Sequence, residues 1–119
     1  MSTTTESGPQ YVTPQYVALP DIAEALGIIV TRVHQLVRDR QLIAVRIDGA
    51  LRIPAEFVQD GLVVKGLSGL LVMLHDHKFD DRECIAWLFT DDDLPGRPID
   101  ALRENRGSEV KRRAQVLEY

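Results

Sequence analysis

The stretch IAEALGIIVTRVHQLVRDRQLIAVRIDGALRIP, Ile22–Pro54, carries the strongest fold signal in this chain. Ile22, Ala23 and Leu26 recur at helical spacing and mark a short helix. Pro20, just upstream, suits a first helical turn, where an N–H has no partner to lose. Gly27 supplies the left-handed residue that commonly ends a helix. A second helix is predicted from Val30 to Arg40. Val30, Val33, Leu36 and Val37 form its apolar stripe, and Thr31, Arg32, His34, Gln35 and Arg38 occupy the opposite face. Two short helices joined at a glycine, the second polar and arginine-bearing, make a helix-turn-helix pattern.

Ile43–Ile47 and Ala50–Ile53 flank Asp48-Gly49, which is a β-hairpin signal. A two-residue loop would set Arg46 opposite Leu51 and Val45 opposite Arg52. A three-residue loop, Asp48 to Ala50, would set Arg46 opposite Arg52 and gather Val45, Ile47, Leu51 and Ile53 on one apolar face. A one-residue slip reverses every side chain, so the alternation favours the three-residue loop. Two facing arginines repel one another, and a phosphate between them would relieve that repulsion.

Working outward, Met1–Pro14 reads as a flexible, threonine-rich tail with little to bury. Tyr16–Leu19 reads as a short strand or extended lead-in. Pro54–Val58 resembles a short helix, Asp60-Gly61 a break, and Val63-Val64 a short strand or an extended link. The remainder is helical. Leu67, Leu70, Leu71 and Leu74 share a face, Asp80 and Glu83 have capping-box spacing, and Pro98 opens a helix holding Ile99 and Leu102. A last helix aligns Val110, Ala114 and Leu117, and Asp91–Gly96 reads as an acidic loop. The expected fold is therefore mainly α with a small β-hairpin wing. Residues 1–14 form the tail, 15–60 a winged helix-turn-helix, and 61–119 a small helical C-terminal domain.

Composition restricts the function classes. With 119 residues and 45% hydrophobic content, the chain suits one compact unit or two very small ones sharing a core. No apolar run approaches the roughly 20 residues that span a bilayer, no basic-then-apolar leader is visible at the N-terminus, and Cys84 is the single cysteine. These features fit a cytoplasmic protein with no membrane partner. The net charge of −4 is unevenly spread. Val30–Pro54 holds five arginines against two aspartates, whereas Asp76–Asp93 holds seven acidic residues against Lys78 and Arg82. A basic window in an acidic chain is consistent with a local polyanion-binding face.

The residues Ala23, Glu24, Leu26, Gly27, Val33, Leu36, Leu42, Ala44, Val45, Arg46, Arg52, Ile53 and Pro54 are placed as in the excisionase and MerR-like winged helix-turn-helix group, which this quarter of the chain resembles. The whole chain is similar to an actinobacterial family that joins such a domain to a small helical C-terminal domain. Val63–Asp76 (VVKGLSGLLVMLHD), Trp87–Thr90 (WLFT), Arg97–Leu102 (RPIDAL) and Arg112–Gln115 (RRAQ) carry that second resemblance. A mycobacterial member of the family is a DNA-binding substrate of a Ser/Thr protein kinase. The resemblance thus implies a DNA-binding protein, a kinase as partner, and control through the tail, with Thr3, Thr4, Thr5 and Thr13 as candidate acceptors. In one respect the chain departs from the group. Ile28-Ile29-Val30 stands where the recognition helix usually opens with a Ser or Thr cap, a cap typically worth about 1 kcal/mol.

On this reading Thr31, Arg32 and Gln35 face base edges in the major groove, Arg paired with guanine and Gln with adenine. Arg38 holds a phosphate, and Arg46 and Arg52 on the wing contact phosphates or the minor groove. The expected role is transcriptional regulation or nucleoid association on double-stranded DNA. A symmetric dimer on paired half-sites would extend the contact, with Leu70, Leu74, Trp87 and Phe89 either at its interface or completing the core. An antitoxin-like or adaptor role is the alternative, because Gly96–Gln115 is also similar to toxin-binding segments that follow a DNA-binding domain.

No enzyme, cofactor or metal site is expected. His75 and His77 point to different sides of a helix rather than sharing a ligand face. Cys84 lies in an apolar helix with no base close in sequence. No phosphate-cradling glycine loop or nucleophile motif occurs.

Overall fold

The computed structural model describes residues 10–11, 13–91 and 96–117. Chain order runs β1 (Gln10–Tyr11), β2 (Tyr16–Ala18), α1 (Leu19–Leu26), α2 (Val30–Arg38), β3 (Val45–Ile47) and β4 (Ala50–Pro54). A single 3-10 turn at Ala55–Phe57 leads to β5 (Val58–Gln59) and β6 (Leu62–Val63). Then follow α3 (Leu67–Asp76), α4 (Asp81–Leu88), β7 (Thr90–Asp91), α5 (Pro98–Arg103) and α6 (Gly107–Gln115). This is the mainly helical architecture with an antiparallel wing that the sequence predicts.

Local chemistry accounts for most boundaries. Pro20 lies in the first turn of α1, and Gly27 ends it at φ 70°, its N–H donating to the carbonyls of Ala23 and Glu24. Helix α2 ends at Arg38, two residues earlier than expected, with Asp39 as its C-cap and Arg40 in the left-handed conformation (φ 62°). Asp80 and Glu83 form the anticipated capping box at α4. The Asp80 carboxylate accepts from the Glu83 N–H at 2.8 Å, and the Glu83 carboxylate accepts from the Asp80 N–H at 2.9 Å.

The hairpin register differs from the expectation. Val45 faces Arg52, Arg46 faces Leu51 and Ile47 faces Ala50 across a two-residue Asp48-Gly49 turn. Asp48 (φ 53°) and Gly49 (φ 82°) are both left-handed, the requirement of a type I′ turn, whose twist matches the strands. The premise of a single apolar face fails because β4 is the central strand of a three-stranded sheet ordered β2-β4-β3. Val45 and Ile53 are both buried although they lie on opposite faces of the sheet. Arg46 and Arg52 therefore also lie on opposite faces, and the repulsion of two facing guanidiniums does not arise.

Asp60-Gly61, read as a simple break, is a second tight turn with both φ values positive. It closes the β5–β6 hairpin, with Val58 opposite Val63 and Gln59 opposite Leu62. The segment read as tail also carries structure near its end, since Gln10–Tyr11 pairs with Thr90–Asp91 and Pro14 is buried. Thr3, Thr4 and Thr5, like Asp92 and Asp93 of the acidic loop, fall outside the described residues.

Both halves share one core. Leu19, Ile22, Val33 and Leu36 of the helix-turn-helix join Phe57, Leu71, Leu74, Leu88, Phe89 and Ile99 in a continuous buried cluster. Phe57 and Phe89 meet across the junction with ring centroids 6.0 Å apart. The Arg103 guanidinium, from α5, donates to the backbone carbonyls of Glu56 (2.7 Å) and Val58 (3.0 Å). Leu70, Leu74 and Phe89, considered for a dimer interface, are sealed in this core, and Trp87 is half-buried under the Arg113 guanidinium at 5.8 Å. These side chains complete the core of the chain.

Candidate nucleic-acid interface

Helix α2 separates its two faces cleanly. Val33 and Leu36 are buried, which turns Thr31, Arg32, His34, Gln35 and Arg38 outward, and all five are exposed. Thr31, Gln35 and Arg38 follow one another at i, i+4 and i+7 along the centre of that face. Arg32 flanks them and donates to the Gln35 side-chain oxygen at 3.0 Å. That bond fixes the Gln35 amide while leaving its NH2 group and a second oxygen lone pair available. Val30, predicted in the apolar stripe, is instead 38% exposed, and the cap residue Ile29 is 73% exposed. No side chain caps α2, and no acidic residue lies in its first turn.

The wing contributes unequally. Arg46 is exposed and donates to the Gly49 carbonyl at 3.1 Å, which holds its guanidinium at the tip of the hairpin. Arg52 is half-buried on the other face of the ribbon, so the pair of facing arginines inferred from the sequence is not formed. Arg82 is a residue the sequence reading missed. From α4 it donates to the Arg46 backbone carbonyl at 2.7 Å and ties the wing to the C-terminal half. A contact across 36 residues between two helical and strand segments has no local signature.

The arginines of α2 and the wing lack counter-charge, as do most cationic side chains among the described residues, Arg112 of α6 included. Among the described residues, Arg32, Arg38, Arg46 and Arg52 form no ion pair. Arg97 pairs with Asp100 at 2.9 Å, and Arg106 pairs with Glu104 at 2.7 Å and Glu109 at 2.6 Å. The hydrogen bonds from Arg97 hold the Asp100 carboxyl below its usual range against the opposing effect of burial. The far end of α2 lies by contrast near negative charge. Arg38 and Arg40 line a cleft of about 350 Å³ with His75, Asp80 and Asp81. Neither the start of α2 nor the wing tip lines this cleft.

A Cys–His–Asp grouping, invisible in the linear sequence, sits behind that cleft. His75 Nε2 lies 2.9 Å from the Asp81 carboxylate and 3.9 Å from Cys84 Sγ, while His75 Nδ1 lies 2.8 Å from the Leu71 carbonyl oxygen. Burial, reinforced by Asp81, Asp80 and Glu83, pushes the Cys84 thiol up to about 12. The sulfur is thus held as a neutral thiol, the opposite of what a nucleophile requires. Among the described residues no group of three or more His, Cys, Asp or Glu side chains is arranged to hold a metal ion. No described helix is long and apolar enough to cross a membrane.

Comparison with known proteins agrees with this architecture. Residues 12–58 match the family model for the winged helix-turn-helix domain of the DNA-binding protein Rv2175c, and residues 64–118 match that for the Rv2175c C-terminal domain of unknown function. The chain is 42% identical to the DNA-binding protein Rv2175c of Mycobacterium tuberculosis, covering 85% of this chain and 79% of that one. It is 37% identical to an excisionase of Streptomyces ambofaciens over 41% of its own length and 79% of the excisionase. The NMR structure of Rv2175c superposes with a TM-score of 0.77 at 40% identity, covering 89% of this chain and 82% of that one. From the helix-turn-helix through the helical C-terminal half, this chain belongs to the Rv2175c family of winged helix-turn-helix proteins.

Proposed function

We propose that this chain binds double-stranded DNA through the exposed face of α2 and the tip of the β3–β4 wing, as a transcriptional regulator or nucleoid-associated factor. The observation that carries this reading is the exposed polar face of α2, with Thr31, Arg32, Gln35 and Arg38 turned outward and no acidic residue in its first turn, next to a wing whose tip holds the exposed Arg46. Unpaired guanidiniums on adjacent elements suit a regular polyanion. Family membership beside a protein named as DNA-binding supports the same reading.

Each side chain then has a role. Thr31, Arg32 and Gln35 lie against base edges, with the Arg32–Gln35 pair acting as one unit. Arg38 and Arg46 hold phosphates and set the register of the helix on the duplex. Arg52, on the far face of the ribbon, adds to the positive field of the wing rather than to the same contact. Two copies on adjacent half-sites would extend the short footprint of one module.

Control by a Ser/Thr protein kinase fits the position of the one described candidate acceptor. Thr13 is exposed and lies just before β2, which is bonded to wing strand β4. Thr13 lies at the base of the wing, beyond the Tyr16–Pro54 pair and away from the Asp48-Gly49 tip, so a phosphate there would add roughly two negative charges and oppose DNA through the long-range field rather than by direct contact.

Selection of bound fragments from random duplex, followed by titration of the selected and a scrambled duplex at two salt concentrations, tests the proposal. Salt-sensitive binding with preference for the selected fragment is expected. No duplex affinity at low salt, together with stable co-purification of one protein partner, would instead support the adaptor reading.

A further inference from the structure

We propose that Ile29 and Val30 form an apolar reader of thymine methyl groups at the leading end of α2. This inference rests on the duplex-binding reading above and adds a base preference to it. Ile29 is 73% exposed and Val30 38% exposed, and they adjoin Thr31 and Arg32 on the same helix start. The other large exposed hydrophobics among the described residues, Leu62, Val72 and Val116, stand apart from one another in sequence. Single exposed apolar residues are ordinary, whereas Ile29 and Val30 stand together, next to the side chains that the reading above sets against base edges.

The position sharpens the point. Ile29 is the N-cap of α2, where Ser, Thr, Asn or Asp would satisfy a free backbone N–H, and no side chain makes that bond here. Neither Ile29 nor Val30 belongs to the buried core, for which Val33 and Leu36 suffice on this helix. A stabilising cap has thus been replaced by two stiff, β-branched side chains that lose little rotamer freedom on contact. The start of a recognition helix is the part that contacts base edges. In the major groove the apolar group presented by an unmodified base pair is the C5-methyl of thymine. The start of α2 carries no acidic residue, and its far end faces Asp80 and Asp81 across the cleft. The field therefore draws the start of the helix, with Ile29 and Val30, toward the duplex.

Deoxyuridine in place of thymidine removes the methyl group and keeps every hydrogen-bonding atom, so it isolates this contact. The experiment titrates the full chain against its selected duplex and against copies with single thymidine-to-deoxyuridine changes. It then repeats the set with Ile29→Ser and Val30→Ala. For the wild type, affinity should fall about four-fold at each contacted thymine, the factor for burying one methyl-sized group. Ile29→Ser offers the missing cap, so its melting temperature should be no lower than wild type while its discrimination between thymidine and deoxyuridine falls. Val30→Ala should reduce that discrimination. Wild-type binding that ignores every thymidine-to-deoxyuridine change would overturn the proposal and leave the duplex-binding reading intact. Undiminished discrimination in both variants would do the same. Absence of binding to any duplex would overturn both.

Discussion

Replacing Arg38 and Arg46 together with alanine isolates the electrostatic part of the proposed interface. Both side chains are exposed and neither is ion-paired among the described residues. Arg46 makes one hydrogen bond of its own, to the Gly49 carbonyl. Folding should therefore tolerate the change, with stability altered by about 0.5 kcal/mol or less, as for surface substitutions generally. If each guanidinium neutralises one phosphate, each contributes about −0.9 to the slope of log affinity against log salt, so the double variant should bind with a slope about 1.8 shallower. Over a four-fold rise in salt, that difference corresponds to about a 12-fold narrowing of the gap between wild type and variant. Fluorescence anisotropy with a labelled random duplex from 50 to 200 mM salt would measure it. Each single variant should recover about half of the effect, and Arg52→Ala less than Arg46→Ala. An unchanged slope in the double variant would remove these residues from the interface and refute the reasoning.

Other consequences can be checked separately. Arg32→Ala and Gln35→Ala should be strongly non-additive in sequence preference, because the two side chains are hydrogen-bonded; additive effects in a double-mutant cycle would separate their roles. Phe57→Ala should destabilise the whole chain by about 3–5 kcal/mol in a single unfolding transition, since Phe57 packs on Phe89 across the junction; loss of one half alone would contradict a shared core. Cys84 should resist alkylation at pH 8 until the chain unfolds. Its native pKa is raised from 9.0 to about 12, so its contribution to stability is fully present below pH 9 and is lost progressively as pH rises toward 12. Rapid labelling of the folded protein, or a Cys84→Ala variant with the same loss of stability above pH 9, would contradict that assignment.

What the sequence made legible was local. The spacing of Ile22, Leu26, Val33 and Leu36, the left-handed stop at Gly27 and the Asp80–Glu83 cap act within a few residues, and all recur in the structure. The hairpin was recognised, but its register depended on β2, which lies far away in sequence and covers the edge of β4. With both faces of β4 partly covered, alternation no longer specified one apolar side, and the twist of the Asp48-Gly49 turn decided the pairing. The same logic placed the outward face of α2 correctly and misplaced Arg52. Val30 looked like core because it fits the helical stripe, yet α2 packs only from Val33 onward. The meeting of His75, Asp81 and Cys84 and the reach of Arg82 to the wing are tertiary contacts without a sequence pattern of their own.

Backbone amide shifts recorded on the isotopically labelled chain, with and without duplex DNA at low salt, address the central claim most directly. The expected result is a contiguous set of perturbations from Ile28 through Arg38 and around Arg46–Ala50, with α5 and α6 unmoved. Perturbations confined to α3–α6, with α2 and the wing tip unchanged, would contradict it.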